Sequence, residues 1–277
     1  GHQALKYNTT AHNNTATGYA ALMTNTTGAS NTATGRQALY TNTTASYNTA
    51  SGYGALKLNT TGSDNTAFGF AALDAQSTTS DNSAFGAYAL TANTTGDANT
   101  GIGASALVTS TTAVRNTAVG YFALKSVTTG NSNTAVGSGT LEANTTGTVN
   151  VAIGLEALAA NNSGSNNTAV GADALQANTT GGNNVAIGNY TLDASTTQSA
   201  NTGVGYKVLS ANTSGFGNVG VGCSALGDNT TGDGNVAVGH RALRVNTTGN
   251  NNTAVGDLAL DANTTAGNNS AFGRSSL

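Results

Sequence analysis

The sequence has no proline, no tryptophan and a single cysteine, Cys223, and charged residues fill only 8% of its 277 positions, where about a quarter is usual for a soluble domain. One cysteine cannot close an internal disulfide, so no covalent staple holds the chain. The net charge of -3 is small and dispersed, and no run of Lys or Arg exists, which argues against nucleic acid and anionic membranes as partners. No apolar run approaches the ~18 residues of a membrane-spanning helix, and no secretory leader is visible at Gly1. Solubility must come from uncharged polar residues, chiefly Asn and Thr.

What the sequence does have is repetition. The stretch NTAVGYFALKSVTTGNS, starting at Asn116, is followed at once by NTAVGSGTLEANTTGTV and then by NVAIGLEALAANNSGSN. Fifteen repeats of 17 residues span 14–268 without insertion or deletion, preceded by a partial repeat at 1–13 and followed by another at 269–277. Residues 1–277 thus read as a single repeat array, and its start and stop in mid-repeat read as an excerpt of something longer. Numbered from the opening Asn, position 1 is always Asn, position 5 always Gly and position 9 always Leu. Position 3 is Ala or Gly, and position 8 is Ala except at Thr140, Thr191, Val208 and Ser276.

A unit this short, with an invariant Gly and a second frequent Gly near position 15, has no room for a helix pair, which leaves a β-coil. The expected fold is all-β: a parallel β-solenoid or β-roll of 17-residue coils. Positions 1 to 5 read as a strand whose alternation puts positions 2 and 4 on one face and 3 and 5 on the other. Gly at 5 suits a corner, N-T-T-G at 12 to 15 has the composition of a second turn, and Leu at 9 points inward. Stacking at about 4.8 Å per coil predicts a rod of roughly 75 to 80 Å, with the position-1 Asn side chains forming a ladder. A single coil carries too few apolar groups to offset the entropy of ordering it, so each repeat needs its neighbours.

Position 4 is Thr17, Thr34 and Ser51, and from Phe68 to Phe272 it is always Phe, Ile or Val. If Leu at 9 fills the interior, this stripe is exposed on a monomer, and such stripes mark interfaces. The expectation is a homo-oligomer associated along it; the alternative makes position 4 the coil interior of a monomer.

Catalytic and metal-binding chemistry finds little support. The acidic residues are spread over several columns, with Asp64 and Asp81 at position 17 and Glu142, Glu156 and Asp257 at positions 10, 7 and 6, so no carboxylate pair recurs from coil to coil. His2, His12 and His240 are too scattered for a zinc site. The expectation is a chain that is not an enzyme and uses no cofactor or metal. Position 6, the most variable, carries Tyr19, Tyr53, Phe70, Tyr121 and Tyr206, aromatics able to stack on sugars. Position 12 is Asn in an N-x-[ST] acceptor sequence at Asn8, Asn25, Asn42, Asn59, Asn93, Asn144, Asn161, Asn178, Asn212, Asn229, Asn246 and Asn263. These are candidate glycan acceptors, although copies about 4.8 Å apart would crowd bulky glycans, and a ladder of turn-forming Asn, the favoured reading, explains the column without modification.

NVAIGLEAL from Asn150 and NVAIGNYTL from Asn184 resemble the head repeats of trimeric autotransporter adhesins, whose units read like N-S-V-A-I-G, and also the repeat regions of phage-type tail fibres. The resemblance implies a parallel β-roll, three chains around one axis, and a surface fibre or adhesive head. The adhesin repeat is shorter than 17 residues, so the additional N-T-T-G must enlarge a loop or add a side. The functional expectation is a structural, extracellular fibre or adhesin segment of a cell surface or virion appendage. Its partners would be copies of itself, as a homotrimer and through end-to-end contacts a filament, together with cell-surface glycans, and not nucleic acid or a membrane interior. Two alternatives stand beside it: an ice-binding solenoid using ranks of Asn at 12 and Thr at 14, and an N-glycosylated fibril.

Overall fold

The computed structural model describes every residue, Gly1–Leu277, in two compact units, Gly1–Ser138 and Gly139–Leu277. Each is an all-β parallel solenoid without helix. The first holds eight three-residue strands, from β1 (Thr15–Thr17) to β8 (Thr134–Val136), and the second eight more, from β9 (Val151–Ile153) to β16 (Ser270–Phe272). Every strand occupies positions 2 to 4 of its repeat, and within each unit the strands pair in parallel with their copies in the next coil: Thr15 faces Thr32, and Thr168 faces Val185. One turn of the chain is therefore one repeat.

The rest of each coil is tied to its neighbours almost as densely. Backbone N–H groups at positions 9, 11 and 13 donate to the following coil, as from Leu22 to Ala38 (3.0 Å), Thr24 to Tyr40 (3.2 Å) and Thr26 to Thr43 (2.9 Å). Those at positions 5, 7 and 17 donate to the preceding one, as from Gly35 to Thr17 (2.7 Å), Gln37 to Tyr19 (2.9 Å) and Tyr47 to Ala29 (3.2 Å). A chain that buries little apolar surface thus satisfies its backbone by stacking.

Ala at 3, Ala at 8 and Leu at 9 form the interior, with residues such as Ala33, Ala38 and Leu39 wholly inaccessible. Small residues are needed where positions 3 and 8 meet. A Cβ on Gly220 would lie 2.5 Å from Cγ1 of Val208, so the bulkier side chain at position 8 is accommodated by the missing one at position 3 of the next coil. Gly at 5 answers a tighter demand. Gly120 has φ of 139°, and a Cβ there would lie 2.3 Å from the carbonyl oxygen of Gly137 in the next coil. No L-residue satisfies both conditions.

Leu at 9 adopts the left-handed conformation, with φ of 50° at Leu22 and 52° at Leu243. That conformation costs about 1–2 kcal/mol for a residue with a Cβ. Burying a Leu side chain contributes ~1.5–3 kcal/mol, and the inter-coil hydrogen bond adds to it, so burial wins. Position 17 is also left-handed but exposed, as at Tyr47 (φ 61°) and Val149 (φ 57°). With no burial to offset the strain, Asn, Asp and Gly recur there, as at Asn166, Asp64 and Gly217.

Two asparagine columns close each coil. The amide nitrogens of Asn14 and Asn25 both donate to the carbonyl of Gly28, at 2.8 and 2.9 Å, joining positions 1 and 12 to position 15. Asn48 and Asn59 clamp Gly62 in the same way, both at 2.9 Å. Between coils the two columns act differently. At position 1 the side-chain oxygen accepts the next Asn's backbone N–H, as from Asn31 to Asn14 Oδ1 (2.8 Å). At position 12 amide follows amide, with Asn42 Nδ2 donating to Asn25 Oδ1 (2.8 Å) and Asn178 Nδ2 to Asn161 Oδ1 (2.7 Å). The position-12 side chains therefore line the coil interior, not an exposed turn.

Candidate interaction surfaces

With Leu at 9 inside, position 4 points outward. Phe68 is 40% exposed, Ile102 41%, Ile153 41% and Phe272 70%, which excludes the alternative that this column fills the coil interior. Strand alternation places position 2 on the same face, and there Val151, Val185, Val219 and Val236 replace the usual Thr in the second unit. In the first unit the apolar rank begins at Phe68, which stacks on Phe85 with centroids 5.1 Å apart and planes within 7°. Before it stand Thr17, Thr34 and Ser51.

The position-6 aromatics are exposed, yet their ring faces are already engaged. Tyr19 is stacked against His2 at 5.9 Å and lies 5.7 Å from the Arg36 guanidinium, which sits the same distance from Tyr53. Tyr53 stacks on Phe70 at 5.3 Å, and Phe70 meets Tyr88 edge-on at 5.2 Å. Tyr121 stacks on its neighbour Phe122 at 3.9 Å, and Tyr206 is flanked by the Lys207 ammonium at 5.5 Å and the Tyr190 ring at 6.1 Å. At Tyr19, Tyr53 and Phe70 a sugar ring seeking a flat aromatic platform would have to part neighbours on two sides, whereas Tyr121 has one, Phe122.

The acceptor sequences at position 12 are placed differently from an exposed loop. Asn25, Asn42, Asn59, Asn93, Asn144, Asn161, Asn178, Asn212, Asn229 and Asn246 are wholly buried; Asn8 and Asn263, near the chain ends, are half-buried. A glycan on any of the ten would replace an interior amide hydrogen and occupy space the coil does not have. Burial also separates Asn at 12 from Thr at 14, so the two do not form paired ranks on one surface. The sequence signal was available: position 12 takes Gln76, Ser110, Val127 and Ser195 as substitutes, and never a charged residue.

The titratable groups form no shared site. Asp74 and Asp193 at position 10 are held above the ordinary carboxylate range, in both cases mainly by burial; Lys57 opposes the shift at Asp74, while backbone hydrogen bonds and Lys207 oppose it at Asp193. His240 Nδ1 lies 2.9 Å from Asp257 Oδ1, and Arg274 Nε 3.3 Å from the other oxygen, giving an exposed chain of three at position 6. Cys223, one coil before His240, is exposed and free, with Sγ directed to Ser224 Oγ at 3.8 Å. No cavity opens in either unit, and no group of three or more His, Cys, Asp or Glu is arranged to hold a metal ion.

No family model, curated protein or solved structure matches this chain.

Proposed function

We propose that this chain is a structural segment of an extracellular fibre or adhesin, a homotrimer in which copies associate along the position-4 stripe. The observation that carries this reading is the stripe itself, apolar in thirteen successive coils although it faces outward. A solvated sheet face ordinarily alternates apolar-in with polar-out, so apolar residues on both faces indicate a covered sheet. The stripe's polar start at Thr17, Thr34 and Ser51 predicts looser association there. The mechanism is mechanical: inter-coil hydrogen bonds resist bending, while variable positions 6, 7, 10 and 16 to 17 set the outer chemistry. Recognition of cell-surface glycans would use the exposed aromatics of the position-6 column, Tyr121 most readily because it has one ring neighbour where Tyr19, Tyr53 and Phe70 have two.

Solution mass tests the proposal. Light scattering is expected to give three times the chain mass of 27.1 kDa, and Phe85→Asp with Ile102→Asp to shift it toward the monomer. A monodisperse 27.1 kDa species at high concentration would overturn self-association.

A further inference from the structure

Most near-constant columns of the repeat have a structural cause. Asn at 1 and 12 closes and stacks the coils, Ala at 3 and Leu at 9 fill them, and Gly at 5 permits backbone contact. Thr at 13 sends its hydroxyl to the next coil's carbonyl, as from Thr26 to Thr43 (3.0 Å) and Thr230 to Thr247 (2.9 Å). Position 14 is just as constant and has no such cause. It is Thr in every coil but two, which carry Ser163 and Ser214, and it is exposed in all sixteen. Of these hydroxyls only those of Thr112 and Thr197 make a hydrogen bond. An exposed position free of packing should drift to Lys, Glu or Asn, as positions 6, 10 and 16 do, yet this one accepts hydroxyl residues alone.

Its surroundings are equally restricted. No charged residue occurs at positions 12 to 15 of any coil. In most coils the segment is held in the same way, the N–H groups of positions 13 and 14 sharing one carbonyl of the next coil: Thr60 and Thr61 on Ser77 (2.8 and 3.2 Å), Thr213 and Ser214 on Thr230 (both 3.0 Å); at Thr196 and Thr197 the two N–H groups donate to Gln198 Oε1 instead (3.3 and 3.0 Å). Within each unit the hydroxyls form an uncharged rank repeating at about 4.8 Å, nearly every one paired with a methyl group. Waters bound to such a rank are fixed at regular intervals with little further loss of freedom, whereas charged side chains would impose hydration of their own.

We propose that the position-14 rank is an ice-binding face, its partner being the surface of crystalline water. The face relies on Thr at 14 beside the half-exposed Thr at 13; the Asn column takes no part. The inference does not depend on the stripe or on oligomeric state, so either reading can fail alone.

The test is ice shaping and inhibition of ice recrystallisation by the full chain. Thr44→Lys with Thr61→Lys in the first unit and Thr231→Lys with Thr248→Lys in the second interrupt the rank. Ala104→Lys and Leu155→Lys, at exposed position 6, serve as controls, with circular dichroism verifying that every variant folds. The unsubstituted chain is expected to facet ice at micromolar concentration, and the four-site variant to need roughly tenfold more protein or greater, as when a multivalent array is broken. The controls should match the unsubstituted chain. Unshaped, disc-like crystals with the unsubstituted chain would overturn the proposal, as would equal loss of activity in the controls.

Discussion

Replacing Ser195 by Asn should stabilise the second unit, although it places a larger polar side chain in a buried position. Ser195 interrupts the position-12 ladder: its Oγ and the Oδ1 of Asn178 below it are both buried without a partner. The carbonyl of Gln198 receives one amide, from Asn184 at 2.8 Å, where intact coils supply two. An amide introduced at 195 would donate to Asn178 Oδ1 and to the Gln198 carbonyl, and would accept from Asn212 Nδ2. Three buried hydrogen bonds at a net ~0.5–1.5 kcal/mol each, less about 1 kcal/mol for fixing one side chain, give roughly 0.5–3.5 kcal/mol, about 2 kcal/mol at mid-range. The mirror experiment is Asn42→Ser in the first unit. There the ladder is intact, with Asn42 bonded to Asn25 Oδ1 (2.8 Å) and the Ala45 carbonyl (3.0 Å) and accepting from Asn59 (2.9 Å). The same three bonds are lost, a destabilisation of about 2–4 kcal/mol because buried groups are left unpaired. Solenoids do not unfold as one two-state unit, so native-state hydrogen exchange of amides in the affected coils is the appropriate assay, supported by urea titration. Protection around 178–212 should rise roughly 30-fold in Ser195→Asn, and protection around 25–59 should fall comparably in Asn42→Ser. Two folded variants with unchanged exchange would refute the interior ladder.

Other substitutions address other parts of the coil. Gly120→Ala should cost at least about 3 kcal/mol, since it adds a Cβ in a Gly-only backbone region and against the Gly137 carbonyl; a large drop in urea midpoint would show it. Val149→Asn should stabilise by about 1 kcal/mol by placing a residue tolerant of positive φ at an exposed left-handed site. Asp193 carries a raised pKa, chiefly through burial, so its ionisation opposes folding. Its contribution falls as pH rises from the ordinary value of about 3.9 through the raised folded value, and the penalty persists above it. Asp193→Asn should therefore raise the urea midpoint at pH 7 and leave it little changed at pH 3. Equal gains at both pH values would contradict that cause.

The repeat, the parallel register, the outward position-4 stripe and the inward Leu were legible in the sequence because each is a consequence of strict periodicity and of alternation along one strand. The inside of the N-T-T-G segment was not. Asn followed by Thr and Gly is turn chemistry by composition, and composition does not say which way a side chain faces when a carbonyl three residues on, as Gly28 is from Asn25, captures its amide. Left-handed Leu was equally invisible, since local propensity opposes it and only burial in the stacked coil makes it favourable. The position-6 aromatics were correctly placed at the surface, but their stacking on residues one coil away depends on coil spacing, which leaves Tyr19, Tyr53 and Phe70 too close to neighbours to offer free faces.

The central claim, that residues 17 apart sit side by side in successive coils, is open to direct measurement by disulfide trapping. Ala87 and Ala104 occupy position 6 of adjacent coils in the first unit. At about 4.8 Å between neighbouring backbones, cysteines at these two sites fall within the Cα separation a disulfide accepts. In a Cys223→Ala background, Ala87→Cys with Ala104→Cys should oxidise rapidly and completely to an intramolecular bond. Ala87→Cys paired with Ser110→Cys, a residue inside the coil six positions further on, should stay reduced. Failure of the first pair to close, or equal closure of both, would contradict the stacked 17-residue coil.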